Sequence, residues 1–304
     1  MQKYYKKYAA VFLAPLLICF ILAFLIPFCM GVYFSFTRYV AFDNAKWTGG
    51  QNFVFAFSPE WSQMAKLNIF GADVSMPSFW AAFLRTTLFA FVSIITINFN
   101  AFILALLLTK GLKGSNLFRG IYFMPNLIGG IVLGYIWQMI INGVLQNVMV
   151  EVGGQMVAAN ITMNPWYSFW GLVILMNWQQ VGYMMIIYIA ALMNVPTDLN
   201  ESAEIDGASK LQTTLHVTIP MVLPSFTICA FLTLTNSYKL YDQNIALSGN
   251  SVNTNLLAAD IVQTGGQFGA NLGPEQAKAL IFFIIVACIS GIQTMATRKR
   301  EVEA

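Results

Sequence analysis

The sequence predicts an all-α, polytopic membrane protein: one domain, residues 1–304, crossing the bilayer six times. Three observations carry this. Of the 304 residues, 58% are hydrophobic and only 10% charged, with a mean hydropathy of +0.65, whereas soluble chains average about 25% charged residues. Six apolar runs each reach the roughly 20 residues that one helical crossing requires. Between the fourth and fifth runs lies a polar stretch, residues 195–220, built like a short helix, a glycine turn and a second short helix.

Taken in order, Lys3, Lys6 and Lys7 precede a nearly uncharged run from about residue 8 to 36. A secretory signal has an apolar region of only about 7–15 residues, so this run reads as a retained first span. Pro15 and Pro27 lie within it, and a membrane helix tolerates them because neighbouring groups re-satisfy the freed backbone. Residues 37–78 are polar but aromatic throughout, the composition of a folded extracytoplasmic loop rather than a disordered linker. The second span covers about 79–108, a turn with Lys110, Lys113 and two glycines follows, and the third span covers about 117–141. A polar connection with Asn160-Ile161-Thr162 leads to the fourth span, about 166–193. The fifth and sixth spans cover about 221–247 and 274–296, separated by a loop rich in Gly, Asn and Thr.

In the 195–220 stretch, Pro196 stands where a helix can start, Asp198 and Asn200 are capping types, and Glu201 to Ile205 are mostly good helix formers. Gly207 stops or bends the chain, and a positive φ is expected there. Pro220 and Pro224 mark the end of the second helix and the start of the fifth span. Sidedness follows from Lys and Arg: residues 3, 6, 7, 110, 113, 119, 210, 298, 299 and 300, ten of the sixteen, share one side if the N-terminus is cytoplasmic. The positive-inside rule then places both termini and the 195–220 loop in the cytoplasm.

Glu201-Ser202-Ala203, three residues to Gly207 and nine more to Val217-Thr218-Ile219-Pro220 resembles the EAA loop of ABC importer permeases. The family pattern is Glu-Ala-Ala, three residues, Gly, nine residues, then Ile-x-Leu-Pro. Further stretches are similar to carbohydrate-uptake permeases of the maltose-permease type: Phe79-Trp80 to Leu88, Arg119 to Pro125, Ile136-Trp137, Trp178 with Gly182-Tyr183, and Tyr241-Asp242 to Gly249. Two departures stand out. Thr86 replaces an asparagine common before Thr-Leu, and Ser248-Gly249-Asn250 replaces a glycine-rich outer loop.

The resemblance implies the type I, MetI-like permease fold in a bacterial cytoplasmic membrane. It also implies a second permease subunit, expected to be a different chain, two ATP-binding ATPase subunits and an extracytoplasmic solute-binding protein. Glu201, Ser202, Ala203, Asp206, Gly207, Ile219 and Pro220 would form the loop that couples to the ATPase. The cargo would be a sugar or oligosaccharide moved by alternating access, with lipid around the spans.

Absent motifs narrow the chemistry. No Gly-x-x-x-x-Gly-Lys-Ser/Thr occurs, so this chain binds no ATP by a P-loop, and ATP with Mg is expected on the partners. No hydrolase motif appears, and His216 is the only histidine. Cys19, Cys29, Cys229 and Cys288 sit in apolar runs without a Cys-x-x-Cys pair, so neither cofactor nor metal is expected on this chain. The basic residues are dispersed, which excludes a nucleic-acid patch. Polar residues in mid-span mark a path or hold helices together. Gln179, Gln180 and Tyr183 in the fourth span, and Thr233, Asn236, Ser237 and Tyr241 in the fifth, have amides, hydroxyls and aromatic faces suited to a sugar. A permease for another solute such as glycerol 3-phosphate, and an ion-coupled secondary carrier, remain the alternatives.

Overall fold

The computed structural model describes residues 13–39, 45–69, 72–111, 113–145, 161–265 and 271–298. The first residues of the expected first span, the basic N-terminal residues, Asn160, Lys299 and Arg300 lie outside them. The chain divides into two compact units, Met1–Gln63 with Ile261–Ile284 and Met64–Asp260 with Ile285–Ala304.

The first unit contains α1 (Leu13–Ser35), the strand pair β1 (Thr37–Arg38) and β2 (Lys46–Trp47), and α2 (Gln51–Phe57). Helix α1 widens to a π-helix over Ile21–Leu25, just before Pro27. Proline lacks the N–H that would close the regular turn there, and a widened turn absorbs the mismatch. Asn52 ties the short elements together by donating Nδ2 to the carbonyls of Ser35 (2.9 Å) and Thr37 (2.8 Å). Phe34 stacks on Tyr39 and Phe36 on Trp47, with centroids 4.2 and 5.7 Å apart. These contacts tie residues 37–39 to residues 45–57.

The second unit opens with a hairpin, β3 (Met64–Ile69) and β4 (Ala72–Pro77), paired in antiparallel register from Met64↔Pro77 to Ile69↔Ala72. Helix α3 (Ser78–Leu108) follows. Its buried face interleaves small residues, Ala82, Thr86, Ala90, Ser93, Ala101 and Ala105, with Phe89, Ile97 and Phe102, while Leu84, Leu88, Phe91, Ile95 and Phe99 are exposed. That inversion suits a helix whose solvent is lipid, because small side chains let helices approach where no water is expelled. α3 packs along α6 (Pro165–Met193) and α9 (Leu223–Tyr238). Phe102, Tyr188 and Phe226 meet at their centre with ring centroids 4.8–5.5 Å apart.

The third span is not straight. α4 (Ser115–Leu127) and α5 (Gly130–Val144) meet at 99°. Pro125 is in a 3₁₀ turn, and the chain is extended at Ile128 and Gly129. The fifth span is also broken. α8 (Lys210–Met221) and α9 meet at 69° about Val222, and α9 ends at Tyr238, with α10 (Asp242–Ser248) a separate helix packed on α5. The expected spans 117–141 and 221–247 are thus each interrupted. The loop expected at 248–273 holds a further helix, α11 (Leu257–Thr264), before α12 (Gly273–Arg298).

Among the described residues, four helices, α1, α3, α6 and α12, are long and apolar enough to cross a membrane, and up to six spans result if each bent pair counts as one.

Candidate functional site

Residues 195–220 fold as the spacing predicts. Pro196 is the N-cap of α7 (Thr197–Ile205). The helix ends in a complete Schellman motif: Ala208 N–H donates to the Ala203 carbonyl (2.9 Å) and Gly207 N–H to the Glu204 carbonyl (3.1 Å). Gly207 has φ +80°, and a Cβ there would meet nothing within 4 Å. Its requirement is therefore conformational, not steric, within this chain. Ser209 then caps α8 in a reciprocal box with Gln212.

Helices α7 and α8 form a knob with little internal core. Glu201, Ser202, Asp206 and Gly207 are exposed, and Ala203 is half-buried against an open depression of about 340 Å³ that Gln212, Thr213 and His216 also line. Ile205 is 86% exposed and Leu211 69%. Ile219 and Pro220 lie half-buried at the base, where α8 runs on through a π-helical stretch, Thr214–Thr218, into the break at Val222.

The mid-span polar residues fall into three groups. Gln179, 7% exposed, donates Nε2 to the Ile128 carbonyl (3.3 Å), which the break in the third span leaves free, and accepts from Gln243 Nε2 (2.9 Å). Thr233 is fully buried, donates to the Cys229 carbonyl (2.8 Å) and accepts from Asn98 Nδ2 (3.4 Å); Asn98 accepts in turn from Tyr188 (2.8 Å). Ser237 is buried and donates to the Thr233 carbonyl (2.8 Å). Gln180 is 8% exposed, with its Oε1 buried and unpartnered. Tyr183, by contrast, is exposed, and Asn236 and Tyr241 are half-buried. The seven residues do not converge on one cavity within this chain.

Sequence reasoning missed Asn98, Tyr188, Gln243 and Arg85. Asn98 and Arg85 carried a readable signal, a polar or charged residue inside a long apolar run. Gln243 carried the same signal, since it lies inside the run expected as the fifth span, but near the outer end of that run, where a polar residue is unremarkable.

Gly182 shows how closely the elements meet. A Cβ there would fall inside the van der Waals envelope of the Tyr122 carbonyl and 2.8 Å from the Phe123 nitrogen. Gly134 and Gly171 give looser approaches, to the Ala246 Cβ and to the tip of the Ile141 side chain. Among the described residues, no three His, Cys, Asp or Glu gather as a metal site would need.

Long apolar helices packed on one another, with an exposed helix pair beside them, describe a multi-pass membrane component. The chain belongs to the family of binding-protein-dependent transport system inner membrane components, which matches residues 10–302. It is a transport component, not a catalytic subunit. Over 303 residues it is 38% identical to the probable starch degradation products transport system permease protein AmyD of Thermoanaerobacterium thermosulfurigenes, covering 96% of this chain and 94% of that one. It is 26% identical over 302 residues to the multiple sugar-binding transport system permease protein MsmF of Streptococcus mutans serotype c, covering 98% and 97%. A chain of a bacterial ABC transporter involved in the import of the acidic polysaccharide alginate shares the fold. Its TM-score is 0.78 at 20% identity, covering 98% of each chain.

Proposed function

We propose that this chain is the permease subunit of a bacterial ABC importer that carries a sugar or oligosaccharide into the cytoplasm, with both chain termini inside. It works with a second, different permease, two ATPase subunits that bind ATP and Mg, and an extracytoplasmic solute-binding protein. The observation that carries the reading is the α7–α8 knob: a glycine-hinged helix pair with Ile205 and Leu211 in solvent and acidic residues around them. Two relatives named as permeases for starch degradation products and for multiple sugars support the cargo class.

The coupling route follows the backbone. A displacement of Glu201–Gly207 by an ATPase passes along α8 to the break at Val222, where α9 turns by 69°. Because α9 packs on α3 and α6, tilting it changes the face offered to the second permease. A path between two permeases needs side chains that this chain leaves uncovered. Tyr183, Asn236 and Tyr241 meet that condition, while Gln179, Thr233 and Ser237 are buried and hydrogen-bonded within the bundle and Gln180 is buried with its Oε1 unpartnered.

Extraction of a tagged chain from native membranes, followed by mass spectrometry, tests the assembly. An ABC ATPase and a second permease should co-purify, and the isolated chain should hydrolyse no ATP. Turnover by the chain alone, or the absence of any ATPase, would overturn the proposal.

A further inference from the structure

Arg85 lies seven residues into α3, about 10 Å from its first turn at 1.5 Å per residue, and is only 6% exposed. A buried cation in a membrane span is costly and is expected to serve a function. Nothing in the coupling knob uses it. Its Nη1 donates to the backbone carbonyls of Asn255 (2.7 Å) and Val252 (3.4 Å), in the segment that leaves α10. The adjacent Thr86 accepts from Leu257 N–H (2.8 Å). From the other side, Asn244 donates to the Thr254 carbonyl (3.2 Å) and accepts from Leu256 N–H (2.8 Å). Asn253 reaches the hairpin, accepting from Lys66 N–H (2.9 Å). The buried carboxylate of Asp260 interacts electrostatically with the guanidinium.

A segment without helix or strand between residues 249 and 256 thus has its backbone bonded to side chains of two helices. Its entry is conformationally demanding, with φ +65° at Gly249 and +34° at Asn250. The two departures from the family pattern, Thr86 and Ser248 to Asn250, meet here. Thr86 supplies an acceptor where the family commonly has asparagine, and Ser248 is held by Asn244 Nδ2 (3.2 Å). The Arg85 Nη2 remains buried without a partner. A partly satisfied buried cation adds little to stability, which argues for a role in shaping the segment.

We infer that Arg85 is a positioning residue for solute delivery: with Thr86 and Asn244 it clasps residues 249–257 into a fixed lip on the extracytoplasmic side, where the solute-binding protein presents its cargo. The inference rests on the permease reading, and its test keeps the two separable. Arg85→Ala and Arg85→Lys are compared with wild type in proteoliposomes holding the whole importer, titrated with sugar-loaded binding protein. Arg85→Ala raises the half-saturating concentration of binding protein at least tenfold, with maximal ATPase rate and subunit co-elution unchanged. Arg85→Lys gives an intermediate value, since one ammonium cannot reproduce the guanidinium fork.

In parallel, Val252→Cys, in a background with the four native cysteines replaced, is labelled in membranes with an impermeant maleimide. Labelling accelerates at least fivefold when Arg85→Ala is added. Unchanged half-saturation with unchanged labelling overturns the inference, and so does equal loss of assembly in both Arg85 variants. If the wild-type importer moves no sugar, the permease reading has failed, and the labelling result still decides whether Arg85 holds the lip.

Discussion

Gly182→Ala sets two effects of known sign against each other. In an exposed helix interior, alanine in place of glycine stabilises by about 1 kcal/mol. Here the new methyl group would enter the Tyr122 carbonyl and stand 2.8 Å from the Phe123 nitrogen. Overpacking costs about 1–3 kcal/mol when side chains can repack. The obstacle at Gly182 is backbone, which has no alternative rotamer, so the cost belongs at or above the top of that range. The net expectation is a loss of about 2 kcal/mol, or a midpoint about 4–8 °C lower in thermal unfolding.

The separation of α4 from α6 also breaks the bond from Gln179 to the Ile128 carbonyl, now 3.3 Å, so uptake should fall with stability. Gly120→Ala is the matched control: it lies two residues from Tyr122 in α4, and its Cβ would meet nothing within 4 Å. It should be neutral or slightly stabilising. Melting of both variants in detergent, at equal concentration, provides the comparison. If Gly182→Ala melts at or above the Gly120→Ala midpoint, the close-approach argument is wrong.

Gly207→Val forces a β-branched residue to φ +80°, which costs at least about 1–2 kcal/mol at the turn. The spans should still insert, but ATPase should co-elute less or hydrolyse ATP without uptake; retained coupling at the wild-type rate would sink the docking assignment. Tyr188→Phe removes the donor to Asn98 and should cost about 1 kcal/mol, the scale of interhelical hydrogen bonds in membranes, read as a lower melting midpoint with initial uptake rate preserved. Asn236→Ala and Tyr183→Ala should reduce uptake several-fold without changing assembly or melting. If instead melting falls and uptake per folded complex is normal, these residues hold helices and do not line the path.

Much of the fold is legible in the sequence because lipid imposes a simple rule, that backbone groups in the bilayer bond within helices. The limits of α3 and α6 match the expected spans within a residue or two, and the Glu201–Pro220 spacing foretells the glycine turn. The breaks at Ile128–Gly129 and Val222 were less visible, because hydropathy averages composition and is blind to direction. Pro125, Gly129 and Gly130 were nonetheless punctuation of a kind that marks bends. The fifth span was drawn too long because hydropathy averaging did not separate α9 from α10, a short helix of mixed polarity whose Ala246 packs on α5 at Gly134.

The candidate path was only partly legible, since a polar residue in mid-span reads the same whether it faces a cavity or a neighbouring helix. Thr233 and Asn236 are three residues apart, yet the first is fully buried and the second half-exposed. Only packing separates them. The clasp of Arg85 on Asn255 joins residues 170 positions apart, a pairing no local pattern encodes.

Uptake by the purified importer decides whether this chain passes sugar through the membrane under the drive of separate ATPases. Proteoliposomes containing the co-purified complex are supplied with the solute-binding protein and a panel of labelled oligosaccharides, with ATP or with an ion gradient alone. Accumulation should require both ATP and the binding protein, and Gly207→Val should abolish it. Accumulation driven by an ion gradient without ATP, or ATP-driven import of a non-carbohydrate solute alone, would contradict that expectation.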